Sequence, residues 1–182
     1  MANGSKTVGA APRNGPFLAR LRAFGALFRA LAILFLLPAG GFSGCGRDDS
    51  PPTATIRGHT WRVIPAVTSR QRYQGMAGRT SVADDEGMLF IYPQAAVRDY
   101  CMRNCLVPLD IAFIGPDLRV VAMHTMTVEP GLAGEKVYTS GAPAQYVLET
   151  AAGALARAGV KPGDTITFSS NVPAAAKADP DP

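Results

Sequence analysis

The stretch Asp99–Ile114, DYCMRNCLVPLDIAFI, decides the fold of this chain. In its second half, Leu109–Ile114, large apolar residues alternate with Asp110 and Ala112, and β-branched and aromatic side chains are frequent. Alternation with a period of two is typical of a β-strand. The stretch therefore predicts a strand that is half or fully buried, with an acidic residue inside it.

Asp110 lies within this predicted strand, on the face opposite its apolar neighbours. A buried carboxylate needs a partner, because an unpaired buried charge costs several kcal/mol. Candidate partners are backbone N–H groups and the side chains of Arg98, Arg103 and Asn104. Two interpretations follow: Asp110 is a structural hydrogen-bonding centre, or it contacts a ligand.

Cys101 and Cys105 are separated by three residues. In an extended strand their Cα atoms would be roughly 13 Å apart, whereas a disulfide needs about 4.4–6.8 Å. A bond between them requires a tight turn or one helical turn, and Asn104 suits a turn because asparagine tolerates the left-handed conformation. A structural disulfide, a metal or redox pair and two unpaired thiols all remain open. The CxxxC spacing is not the CxxC of thioredoxin-like sites, and no zinc-type cluster accompanies it.

Other strand patterns surround this stretch, and Gly115–Leu118 predicts the turn of a hairpin. The predicted strands are Ile56–Val67, Met88–Tyr92, Arg119–Thr127, Ala142–Glu149 and Thr165–Ser169, with short helices at Thr68–Gly78 and Ala151–Ala158. Short strands separated by turns indicate an all-β, mainly antiparallel domain. We predict a small β barrel or sandwich with two short helices.

The run YCMRNCLVPLDIAFI resembles the F-W-M-K/R-N-T/V-x-I/V-P-L-D-I/V-x-F core of the DUF192 family. Upstream, RQRYQGMAGRTSVADDEGMLFIYP is similar to the family's R-x-x-G segment and its DEGMLF motif; downstream, YTSGAPAQYVLE and the GVKPGD turn resemble its tail. The resemblance covers about residues 63–168. It implies a compact, mostly antiparallel β barrel or sandwich with short helices. It implies no chemistry, because the family's activity is not established.

Both cysteines of the central stretch depart from the family pattern. Cys101 stands where the family usually has tryptophan, and Cys105 where it has threonine or a β-branched residue. Because both cysteines occur together at neighbouring positions, the comparison with the family favours a disulfide between them.

The charge balance excludes nucleic-acid binding. Five of the 18 basic residues precede Cys45, which leaves 13 basic against 14 acidic residues and a net charge of −1. Phosphate binding needs a clustered basic face, and none remains. We also expect no metal site and no cofactor, since the acidic triplet Asp84–Glu86 offers too few oxygen ligands for calcium.

Residues 1–44 have the pattern of a targeting signal. A positively charged start is followed by the apolar run Ala30–Pro38, which is too short to span a bilayer. The residues Phe42–Cys45, FSGC, resemble a bacterial lipobox, whose cysteine is acylated. We therefore predict an extracytoplasmic protein of the cell envelope, anchored to the membrane by lipid on Cys45. Ordinary secretion and an uncleaved anchor are the alternatives.

The remaining chain divides into three segments. Residues 45–55 are polar and contain proline, which predicts a flexible tether. Residues 56–170 form the single predicted domain, and residues 171–182 resemble a disordered tail. If Cys45 carries lipid, two cysteines remain, an even number that fits an oxidising compartment.

Polar residues around the central stretch give the candidate ligand-binding site. The candidates are Arg103, Asn104, Asp110 and Glu149, with Arg70 and Arg79 as further contacts. Arginine side chains bind carboxylate and phosphate groups through two hydrogen bonds. The leading hypothesis is a binding module for a small polar or anionic ligand or an envelope partner.

Two alternatives remain. One is a structural or envelope-assembly protein without a small ligand. The other is an enzyme, either a hydrolase that uses the carboxylates of Asp110 and Glu149 or a catalyst that uses the Cys101 thiol.

Overall fold

The computed structural model describes residues 49–174. The predicted signal sequence, the predicted lipidation site Cys45 and the last residues of the predicted tail lie outside this range. In the described part of the chain, no helix combines the length and the hydrophobicity needed to span a membrane.

Nine strands and two short helices make up the domain, which confirms the predicted all-β class. The strands are β1 Thr53–Ile56, β2 His59–Ala66, β3 Glu86–Ala96, β4 Asp99–Tyr100, β5 Leu109–Ile114, β6 Val120–Met126, β7 Tyr138–Thr139, β8 Ala144–Ala151 and β9 Ile166–Phe168. The helices are α1 Ser69–Gln74 and α2 Ala154–Arg157, and a single 3₁₀ turn covers Pro130–Leu132.

Seven of the strands form one curled sheet in the order β6-β5-β8-β3-β2-β1-β9. All neighbours pair antiparallel except β2 and β3, which are parallel. The two ends of the sheet meet where Arg119 bridges Thr165 and the Ile166 N–H donates to the Leu118 carbonyl at 2.9 Å. The sheet is therefore a partly closed barrel, and β4 and β7 form a separate two-stranded ribbon.

Strand β5 is buried along its whole length, because apolar clusters cover both faces of the sheet. On one face, Trp61, Leu89 and Leu148 pack in a cluster closed by the residues of α2 and β9. On the other face, Phe90 and Phe113 pack in a second cluster with side chains of the central stretch. Alternate residues of β5 enter alternate clusters, as the pleat of a strand requires.

Helix α1 begins as the sequence predicts. The Thr68 side chain accepts a hydrogen bond from the Gln71 N–H at 3.2 Å, and the Gln71 side chain accepts from the Thr68 N–H at 3.0 Å, which makes a capping box. The helix is shorter than predicted, because Gly75 adopts a φ of 51° and takes the chain out of the helical region.

Element boundaries differ from the prediction at several places. Strand β1 begins at Thr53, within the segment predicted as a tether, and pairs with both β2 and β9. Helix α2 begins three residues later than predicted because β8 continues to Ala151. At the start of the predicted disordered tail, the Asn171 side chain donates to the Ser50 carbonyl.

Candidate functional site

The central stretch turns sharply after β4. Asn104 adopts a φ of 56°, and the Cys105 N–H donates to the Met102 carbonyl at 3.1 Å, so the chain makes the tight turn that a Cys101–Cys105 bond would require. The turn is held from outside by the Leu132 carbonyl, which accepts from the Asn104 N–H at 3.0 Å. A Cβ at Gly134 would lie only 2.6 Å from the Arg103 backbone nitrogen, so this close approach requires glycine.

A cavity of about 380 Å³ lies between this turn, helix α1 and the sheet. Its lining includes the aromatic side chains Tyr73, Phe90, Tyr92 and Tyr100, the charged residues Arg72, Asp99, Arg103 and Glu149, and both cysteines of the central stretch. A concave, mostly apolar pocket with a few polar groups is the usual form of a small-molecule site.

Glu149 is the buried acidic residue of this cavity. In the β5–β8 ladder it lies opposite Ile111, and in the β3–β8 ladder opposite Met88, so its side chain enters the second apolar cluster. Only 5% of the residue is exposed, and its Oε2 atom has no hydrogen-bond partner. Burial raises the pKa of Glu149 to about 8. At neutral pH the Glu149 side chain is therefore mainly the neutral acid.

Two tyrosine hydroxyls form a second polar feature. The Tyr92 and Tyr100 oxygens are 2.8 Å apart, and the Tyr100 ring packs edge-on against Phe90 at 5.2 Å between centroids. Burial raises the pKa of both phenols, that of Tyr100 well above its usual value. Both hydroxyls are consequently protonated at neutral pH and can donate or accept hydrogen bonds.

Two arginines line the cavity, and both are already engaged by the protein. The Arg72 guanidinium donates to the Val67 and Ile91 carbonyls at 2.6 and 3.2 Å. Arg103 lies over the Tyr73 ring, 3.9 Å from its centroid, and donates to the Tyr73 carbonyl at 3.2 Å. Their side chains thus hold α1 against the sheet and the turn.

The predicted disulfide is absent: Cys101 and Cys105 are both free thiols. The turn leaves Cys101 at the surface and places Cys105, 6% exposed, in the second apolar cluster. Burial, together with the nearby charges of Glu149 and Cys101, raises the pKa of Cys105 to about 11.

Asp110 does not belong to this cavity. It is 2% exposed and accepts hydrogen bonds from the Thr125 hydroxyl at 2.8 Å and from the Leu155 N–H at 3.1 Å. Leu155 is in the first turn of α2, so the carboxylate ties β5 and β6 to the start of this helix. These two hydrogen bonds support the structural interpretation of Asp110.

The hydrolase hypothesis fails on geometry. Glu149 lies opposite Ile111 in the β5–β8 ladder and shares its face, whereas Asp110, one position earlier in β5, points to the other face. Asp110 and Glu149 are therefore on opposite sides of the sheet and cannot act together as general acid and general base on one substrate.

The remaining predicted site residues divide between the cavity and the surface. Arg103 and Glu149 line the cavity, whereas Arg70, Arg79 and Asn104 are not among its lining residues. The tyrosines and Arg72 were missed, because nothing in their spacing indicates that α1, β3 and β4 meet. Between residues 49 and 174 no three His, Cys, Asp or Glu side chains converge as a metal site.

Comparisons with known proteins agree with this architecture. The model of DUF192, described as "Uncharacterized ACR", matches residues 52–168. A protein of unknown function from Novosphingobium aromaticivorans is 36% identical, with a TM-score of 0.58, and the match covers 64% of this chain and 83% of that one. A "putative transcription regulator" from Sinorhizobium meliloti is 32% identical, also with a TM-score of 0.58, and the match covers 68% of this chain and 98% of that one.

A search of the curated proteins found no match. The family match spans most of the described residues and includes the turn, α1, β3 and β8, which together form the cavity. The chain therefore belongs to the DUF192 family.

Proposed function

We propose that this domain is a binding module that takes a small polar molecule into the cavity beneath the Cys101–Cys105 turn. The observation that carries the proposal is Glu149, a buried side chain that lines a cavity of about 380 Å³ and has an oxygen atom without a hydrogen-bond partner. An unsatisfied buried polar group costs about 1–3 kcal/mol. A ligand that bonds to Glu149 would recover this cost.

The surroundings of Glu149 support the proposal. Phe90 and Met76 supply apolar surface, and the hydroxyl pair of Tyr92 and Tyr100 supplies polar groups. This combination gives a ligand both contact area and orientation. Arg103, at the mouth of the same cavity, retains guanidinium N–H groups beyond the one bonded to Tyr73.

The experiment is a thermal-shift screen of residues 46–182 against sugars, amino acids, organic acids, amines and nucleotides. A ligand present at 100 times its Kd stabilises the folded state by about 2.7 kcal/mol, which raises Tm by several degrees. The expected shift disappears in Glu149→Gln. Arg70→Ala is the matched control, because Arg70 is exposed and outside the cavity lining.

A hit that is equally strong in Glu149→Gln would place the ligand elsewhere and contradict the proposal. No hit in the whole library would favour an envelope protein as partner, and capture from an envelope extract would then identify it.

We further propose that the chain is attached to the bacterial membrane by lipid on Cys45, on its extracytoplasmic side. The support is the sequence of residues 1–45, with its basic start, apolar run and FSGC motif. Labelling with a fatty-acid probe should mark the membrane-bound protein and disappear in Cys45→Ser. Label that persists in the variant would contradict the anchor.

A further inference from the structure

Glu149 forms no ion pair with an arginine, lysine or histidine side chain among the described residues. It belongs to none of the ion pairs formed within residues 49–174, which join the exposed residues of other surfaces. The two arginines of the cavity are bonded elsewhere, Arg72 to backbone carbonyls and Ser69, and Arg103 to Tyr73. A carboxylate formed at Glu149 would therefore be a buried charge without a counter-ion.

The position of Glu149 favours one class of ligand over others. Glu149 lines a cavity that also has apolar surface from Met76 and Phe90. Charges attract each other more strongly in such a low-dielectric site than in water, and an unmatched charge costs more. A ligand with a positive charge and N–H donors supplies both a hydrogen bond to the unpartnered oxygen of Glu149 and a counter-ion for its carboxylate. A neutral ligand supplies only the first.

The tyrosine pair can complete the coordination of such a cation. Glu149 is close enough to Tyr92 and Tyr100 that its charge raises the pKa of both phenols. An ammonium group has three N–H donors and no acceptor. It can donate one to Glu149 and another to a phenolic oxygen, while its carbon chain contacts the apolar wall.

We infer that the ligand of this cavity is a small organic amine, bound as its ammonium cation by the carboxylate of Glu149. This inference rests on the proposed function and names its ligand class. It replaces the anionic ligand expected from the sequence, because an anion would meet the buried acid of Glu149.

Binding of an amine by this mechanism releases a proton. Without a ligand, Glu149 is mainly protonated at pH 7. Pairing with an ammonium ion requires the carboxylate form, so the proton of the acid passes to the buffer on binding. Observed affinity should rise about tenfold per pH unit between pH 6 and 8 and level off above pH 8. The other titratable or charged residues that line the cavity with Glu149 are Arg72, Tyr73, Tyr92, Asp99, Tyr100, Cys101, Arg103 and Cys105.

The test uses three probes of matched size that differ in charge: butylamine, 1-butanol and butyrate. Each is titrated at pH 6, 7 and 8 into ¹⁵N-labelled residues 46–182, and the amide shifts of α1, β3 and the Cys101–Cys105 turn are followed. We expect butylammonium to bind most tightly, with an affinity that rises with pH. In Glu149→Gln, with Arg70→Ala as control, its affinity should fall at least tenfold and lose its pH dependence.

Tighter binding of butyrate or butanol at these residues would overturn the amine inference and leave the proposed function standing. Equal affinity of butylammonium at pH 6 and 8 would overturn it as well, and this arm needs no variant that must fold. Shifts with none of the probes would also overturn the amine inference, and the library screen would still decide whether the cavity binds another class of molecule.

Discussion

Asp110 and Glu149 lie on adjacent strands, one position out of register, and their side chains enter opposite faces of the sheet. Glu149 is directly opposite Ile111 in the β5–β8 ladder, and Asp110 is opposite Thr150. One carboxyl is satisfied by two hydrogen bonds, whereas the other has an oxygen atom without a partner. Two buried acids on adjacent strands therefore have different roles: one is structural, and the other lines a cavity.

The free energy of unfolding should depend on pH through Glu149. Its folded pKa of about 8 is above the ordinary 4.5, so the folded state retains a proton that the unfolded state releases. The stability at pH 4 is therefore lost progressively between about pH 4.5 and 8, by several kcal/mol. Glu149→Gln, which has no charge, should be more stable than the wild type at pH 9 and should lack this loss.

Urea unfolding of both proteins at pH 4, 6 and 9 measures this difference. Parallel pH profiles for the wild type and Glu149→Gln would contradict the assignment of the raised pKa to Glu149.

Removal of the Asp110 carboxylate should destabilise the domain. Asp110→Ala leaves the Leu155 N–H and the Thr125 hydroxyl without their acceptor, at a cost of about 2–4 kcal/mol. Denaturant unfolding measures the loss. Asp84→Ala is the control, because the exposed Asp84 pairs with the exposed Arg157 and its loss should change stability by about 1 kcal/mol or less.

The two thiols of the turn should differ in reactivity. Cys101 is exposed, whereas Cys105 is buried with a pKa of about 11. A thiolate-selective reagent at pH 8 should modify Cys101 rapidly and Cys105 only after unfolding. Mass spectrometry of the labelled native and urea-unfolded domain separates the two sites. A native protein with no reactive thiol, or with two equally reactive ones, would contradict the structure.

The capping box of α1, a helix that lines the cavity, should contribute to the stability of the domain. Thr68→Ala removes the acceptor for the Gln71 N–H and should cost about 1 kcal/mol. Thr68→Ser keeps the hydroxyl oxygen and should lie within a few tenths of a kcal/mol of the wild type. Thermal unfolding of the three proteins compares them, and equal losses in both variants would show that the cap is not the cause.

The local features of the fold could be predicted from the sequence. Strand β5, the turn at Asn104, the N-cap at Thr68 and the hairpin at Gly115–Leu118 depend on side-chain period and on the conformational preferences of a few residues. These properties belong to short segments and need no knowledge of what packs against them. The same applies to the helix end at Gly159, whose φ is 68°.

The site could be predicted only in part. The sequence identified Arg103 and Glu149, but it grouped them with Asp110, Arg70 and Arg79 by side-chain chemistry, which does not show which residues are near one another in space. It missed Tyr92 and Tyr100, which approach each other only because β3 and β4 converge above the same face of the sheet. The chain makes the turn that a disulfide would need. Cys101 nevertheless lies at the surface and Cys105 in the second apolar cluster, and the two thiols are free.

By itself the sequence determined the all-β class and the approximate positions of six strands, whereas β1, β4 and β7 were not predicted. The tertiary structure decided which side chains share a face, because a shift of one residue between β5 and β8 would move Glu149 from one apolar cluster to the other. Strand register depends on the packing of the whole sheet rather than on any one segment. The orphan carboxyl of the cavity is a consequence of that register.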